Sequence, residues 1–135
     1  ALAACDGFII IAPEWAGMVP AALKNIFLYC GQHELAHKPG LIVTVSAGVN
    51  GAYPVAELRM NSYKNTYITY LPEHIIVRNV QQVLNDQELD EENTEDFKLK
   101  QRIEYELQLL EAYAEALQHV RNKDILDYAT YPFGM

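Results

Sequence analysis

Two short stretches of the chain carry residues that could hold a ligand, and a third could hold a metal. The first is Pro13-Glu14-Trp15-Ala16-Gly17-Met18-Val19-Pro20, a large aromatic face among small and rigid residues. The second is Ser46-Ala47-Gly48-Val49-Asn50-Gly51, where little side chain blocks access to backbone N–H groups. A stacking face opposite a row of backbone donors would clasp a flat heteroaromatic ring. Each residue also has a simpler role open to it: Trp15 as a plug at a sheet end, Glu14 as a tie for loop backbone, Ser46 as a turn cap, Lys24 and Asn25 in helix packing and loop bonding. The third stretch, His33-Glu34-Leu35-Ala36-His37, is a literal H-E-x-x-H, with Glu57 twenty residues beyond. In zinc peptidases both imidazoles lie on one face of a sustained helix and the Glu activates a metal-bound water. Here Gly31-Gln32 precedes the motif and Lys38-Pro39-Gly40 follows at once, with Pro39 biasing Lys38 away from helix. One helical turn can form there; no metal site is expected.

The elements that must position these residues alternate. Phe8 to Ala12 is a continuous apolar run ended by Pro13, which suits a strand covered on both faces. Pro20 suits the first turn of a helix, and Leu23, Ile26, Phe27 and Cys30 then recur at i, i+3, i+4, i+7, with Gly31 as the stop. A second strand spans Leu41 to Val45. A helix from near Pro54 toward Tyr67 is broken by Leu71-Pro72, and a third strand spans His74 to Val80. Thr94, with Glu95 and Asp96, starts a long last helix. Its apolar face reads Leu99, Ile103, Leu107, Leu110, Ala114 and Leu117. Strands separated by helices of this length form right-handed βαβ crossovers and a parallel sheet. Ligands bind such sheets at the carboxyl ends of the strands, which is where both loops fall. Three strands make a poor doubly wound domain, since one edge lacks a partner. Together with the opening Ala1-Leu2-Ala3-Ala4, which reads as the tail of a helix, this leads us to expect a further segment upstream.

Pro13-Glu14-Trp15-Ala16-Gly17-Met18-Val19-Pro20-Ala21-Ala22-Leu23-Lys24-Asn25 resembles the Pro-Glu-Tyr-Asn-x-x-x-Pro-x-x-Leu-Lys-Asn signature of the NAD(P)H-dependent FMN reductase family. Lys38-Pro39 leading into a strand, followed by Ser46-x-Gly48, fits the same family at the expected spacing. The resemblance covers residues 5 to about 80; the last helix agrees in position only. It implies a flavodoxin-like three-layer α/β sandwich with a parallel sheet, of which this chain would supply about the last three strands and their helices as a single domain. It implies FMN as cofactor and NAD(P)H as co-substrate, with hydride passing to flavin N5 and on to a flavin, quinone, azo compound or metal oxyanion. Pro13, Glu14, Trp15 and Ala16 would lie along the isoalloxazine, and Ser46, Ala47, Gly48, Val49 and Gly51 would hold its pyrimidine end. No residue is required as general acid or base. Three positions depart from the pattern: Trp15 stands for Tyr and keeps a stacking face, Ala16 stands for Asn and leaves only backbone, and Val49 replaces a common Gly. The family's Ser/Arg phosphate loop would have to come from upstream. The alternative at the same fold is an electron carrier or assembly module.

Charge narrows the partners. The net charge of −8 belongs wholly to the last 55 residues, which carry five basic and thirteen acidic side chains, most densely from Asp86 to Glu92. That argues against nucleic acid and anionic lipid, and the acidic run reads as a solvated loop. The longest apolar run, Gly7 to Ala12, is far short of the roughly 20 residues a membrane helix needs. Two cysteines without metal-ligand spacing suit a cytoplasmic protein with free thiols. Tyr105, Leu109, Tyr113 and Val120 lie off the last helix's apolar face and suggest a homodimer or homotetramer, which the tail Tyr131-Pro132-Phe133-Gly134-Met135 could join.

Overall fold

The computed structural model describes residues 1–85 and 94–134; the acidic run from Asp86 to Glu92, and Met135, lie outside them. Three strands, β1 (Phe8–Pro13), β2 (Pro39–Val45) and β3 (Thr69–Val77), form one parallel sheet in the order β1-β2-β3. Helices α1 (Ala21–Tyr29), α2 (Gln32–Leu35) and α3 (Ala52–Asn61) occupy the crossovers, and α4 (Glu95–Arg121) follows the last strand. On one face Ile10, Ala12 and Ile42 pack with Val19, Leu35, Val55, Leu58 and Ile68, and with Leu23, Phe27 and Cys30 of α1 and its cap. On the other face Leu41, Leu71, Ile75 and Val77 pack against Leu99, Ile103, Leu109, Leu110 and Tyr113 of α4.

Five expectations are corrected. β1 is covered on one face only: α4 lies over β2 and β3 and leaves Ile11 of the edge strand 60% exposed, with Ile9 exposed beside it. On α1, Ile26 of the expected stripe is likewise exposed.

Pro72 does not break the chain but sits inside β3, which begins at Thr69 rather than His74. Tyr70 pairs with Gly40 and His74 with Ile42, so β3 bulges across Leu71–Glu73. An edge-strand bulge tolerates a residue without an N–H. Its three carbonyls, at Leu71, Pro72 and Glu73, accept from the Arg59 guanidinium of α3 at 2.7, 3.1 and 2.9 Å. α3 is correspondingly shorter than expected, ending at Asn61, where the Ser62 hydroxyl turns back to donate to the Leu58 carbonyl.

The buried seam of α4 runs Leu99, Ile103, Glu106, Leu110, Tyr113. Leu107 faces out, and Leu109 and Tyr113, expected on the far side, pack on the sheet. Thr94 caps α4 as expected, its hydroxyl accepting from the Phe97 N–H at 3.1 Å. No helix among the described residues is long and apolar enough to cross a membrane.

Candidate functional site

The ends of β1 and β2 bring the two ligand-type loops side by side. The Glu14 N–H donates to the Val45 carbonyl at 2.8 Å, extending the parallel ladder one residue past Pro13. The chain then reverses in a tight hairpin: Trp15 and Met18 exchange backbone hydrogen bonds of 3.1 and 2.9 Å. Ala16 and Gly17 at its tip both have positive φ, 51° and 78°, as in the mirror-image turn that suits right-twisted strands. The hairpin presents Trp15 and Met18 to solvent, with Trp15 67% exposed. Trp15 therefore does not plug the sheet. A full-size aromatic is thus left open at the sheet's carboxyl edge.

The second loop is anchored beneath and open above. The Ser46 N–H donates to the Val77 carbonyl at 2.8 Å, and buried Ser46 offers its Oγ to the Gly48 N–H at 3.3 Å. Thr44 Oγ1 donates to the Gly51 carbonyl at 2.7 Å. Gly51, at φ 102°, is buried as the cap of α3, where a Cβ would come within 2.5 Å of Ile76 Cγ2. Gly51 thus shapes the loop from below. Ala47, Gly48 and Val49 are exposed, and a Cβ on Gly48 would meet nothing within 4 Å. Among the described residues the N–H groups of Ala16, Gly17, Ala47, Val49 and Asn50 donate to no protein acceptor. These are the groups that could bind the polar edge of a planar ligand.

The sequence reading did not assign two further contributors. Beyond β3, the Asn79 and Val80 N–H groups donate to the Gly48 and Ser46 carbonyls at 2.9 and 3.3 Å, and Arg78 Nε donates to the Asn50 carbonyl at 3.0 Å. The end of β3 thus supports the second loop. Glu57 of α3, noticed in the sequence only for its distance from the two histidines, reaches the first loop instead. Its Oε2 accepts from the Val19 N–H at 2.8 Å and its Oε1 pairs with Lys24 Nζ at 2.8 Å. The Lys24 ammonium, then the Val19 N–H, hold its pKa below the usual carboxylate range. Nothing in the periodicity of α3 signals that role, which depends on how α1 and α3 lie on the sheet.

The H-E-x-x-H residues do not lie on one sustained helix. α2 lasts only four residues, His33 is exposed on it, and His37 lies beyond its end at φ 52°. The His37 ring instead lies against Tyr67 and Tyr128, 6.0 and 6.3 Å between centroids. Glu34 caps α2 through the Gly31 N–H at 2.9 Å. No group of three His, Cys, Asp or Glu among the described residues could hold a metal ion.

The parallel sheet, its helices and loops clustered at the carboxyl ends of the strands define a flavodoxin-like α/β protein. The sequence model of the NADPH-dependent FMN reductase family matches residues 1–82, and the chain belongs to that family. It is also similar to an NADPH azoreductase from Bacillus sp. (strain OY1-2), 27% identical over 74 residues. That stretch is 55% of this chain and 42% of the azoreductase, so the chain spans less than half the length of this curated relative.

Proposed function

We propose that this chain supplies the ring-holding edge of an FMN-dependent NAD(P)H oxidoreductase. The observation that carries this reading is the pairing of an exposed Trp15 hairpin with unpartnered backbone N–H groups across the ends of two adjacent strands. These residues fit a flavin: Pro13, Glu14, Trp15 and Ala16 offer an apolar and aromatic wall, and exposed Ala47 and Val49 offer backbone donors on either side of Gly48, which has open space above it. When bound, FMN supplies the redox chemistry, accepting hydride at N5 from NAD(P)H and passing electrons to an acceptor. The protein stacks, orients and shields the ring, and no side chain need move a proton. The azoreductase similarity favours an azo compound as acceptor. Free Cys5 and Cys30 suit a reducing, cytoplasmic setting.

Polypeptide preceding Ala1 completes the site in this reading. The outer edge of β1 has no strand partner among the described residues. Ile9 and Ile11, with Leu2, Leu23 and Ile26, line an apolar groove of about 160 Å³ along it. A strand added there would extend the parallel sheet and bring the family's phosphate loop to the same end. A homodimer or homotetramer belongs to the reading too, with its surface moved from α4 to exposed Met18, Tyr53 and Met60.

FMN-dependent oxidation of NADPH coupled to bleaching of an azo dye tests the reading. Turnover that needs FMN, and that falls about tenfold in apparent FMN affinity on Trp15→Ala, supports it. FMN binding without NADPH oxidation points to an electron carrier instead.

A further inference from the structure

We propose that Glu57 is a positioning residue that sets the gap between the two ring-holding loops, an inference that rests on the flavin reading above. The hairpin that carries Trp15 has two anchors. One is the Glu14 N–H on the Val45 carbonyl at its start; the other is the Val19 N–H on Glu57 Oε2 just beyond its end. Between them its only backbone bonds among the described residues are the pair exchanged by Trp15 and Met18.

Glu57 stands on the second turn of α3, and α3 grows directly out of the Ser46–Gly51 loop through its cap, Gly51. A single carboxylate therefore joins the element that carries the second loop to the backbone of the first. Lys24 of α1 fixes the other carboxylate oxygen at 2.8 Å, which leaves Glu57 little freedom to rotate away. The three elements that meet at this carboxylate are the ones the site depends on. Val19 is buried, and its N–H loses its protein acceptor when Glu57 is removed. The hairpin then pivots on its first anchor alone, and the distance from Trp15 to the Ala47–Val49 backbone is no longer set. Neither Glu57 nor Lys24 lies in the exposed loops, so the effect on a ligand is indirect.

The experiment compares the parent with Glu57→Ala, Glu57→Asp and the double variant Lys24→Met/Glu57→Gln. The last replaces the ion pair with neutral groups and keeps an acceptor for the Val19 N–H. Trp15 is the single tryptophan of the sequence, so acrylamide quenching of its fluorescence reports the hairpin without any cofactor. Glu57→Ala is expected to raise the quenching constant about twofold and to weaken FMN binding about tenfold, with the NADPH KM little changed. Glu57→Asp, one methylene too short to reach both partners, shifts both readouts in the same direction and serves if the alanine variant does not fold. The double variant returns both to within about threefold of the parent. Folded Glu57→Ala and Glu57→Asp proteins with parental quenching and parental FMN affinity would overturn the proposal. A parent that binds no FMN retires the flavin reading; the quenching comparison alone then decides whether Glu57 holds the hairpin.

Discussion

Ala16 sits at φ 51°, where the family signature has Asn. Side chains other than Asn and Asp pay roughly 1–2 kcal/mol for the left-handed region. Ala16→Asn should therefore stabilise the protein by about 0.5–1 kcal/mol in urea unfolding. It should leave the hairpin's shape unchanged, seen as unaltered Trp15 emission. Gly51 predicts the opposite. At φ 102°, with a Cβ 2.5 Å from Ile76, Gly51→Ala should cost about 2–3 kcal/mol in the same assay.

Glu106 is the clearest pH-dependent group. It is fully buried on α4, and neither carboxylate oxygen makes a hydrogen bond among the described residues, although Arg102 Nη2 lies 2.9 Å from one of them. Burial, then the nearby Glu73 carboxylate, pushes its pKa up to about 7, and Arg102 opposes the rise. The folded state thus favours protonated Glu106. Its contribution is complete below the usual carboxylate pKa of about 4.5 and is lost as the pH rises through about 7. Glu106→Gln should be more stable than the parent at pH 8 by on the order of 1–3 kcal/mol, and equal to it near pH 4. A constant difference across that range would contradict the assignment.

At the scale of elements, three strands, their parallel order and the capped start of α4 could be read from apolar runs, turn residues and Thr94. What escaped was decided by neighbours. Leu107 reads as a seam residue because it is apolar, yet the seam position is Glu106, which pairs with Arg102 one turn before it on α4, while Arg102 in turn reaches Glu73 of β3. Pro72 reads as a breaker in the sequence because its tolerance depends on β3 being an edge strand and on Arg59 crossing from α3. Arg59→Met should leave the bulge's three carbonyls without their charged donor and cost about 2–3 kcal/mol in unfolding free energy. Hydrogen exchange should quicken across residues 69–77 before it does in β1. Exchange that quickens uniformly would mean that Arg59 does not act through the bulge. That the two candidate loops lie side by side at the carboxyl edge is legible from composition and spacing, while the place of Glu57 is not, since its partners lie 38 and 33 residues away in sequence.

Across the whole molecule, the uncovered side of β1 sets the chain's behaviour. An exposed edge strand with outward isoleucines pairs readily with other chains. In the 135-residue chain Ile11→Lys should alter stability by less than about 0.5 kcal/mol and reduce self-association in sedimentation. In a longer natural polypeptide whose own strand lies on β1, the same change should cost about 2–3 kcal/mol. Equal, small effects in both settings would remove the proposed pairing of an upstream strand with β1. The site at the carboxyl edge is the part of this account with most at stake. The measurement that tests it most directly is the visible absorption spectrum of the purified protein mixed with FMN, freed of unbound flavin by gel filtration, before and after NADPH. A retained flavin band that NADPH bleaches is the expected result. A colourless protein that leaves all the FMN in the small-molecule fraction would contradict the flavin site while leaving the fold intact.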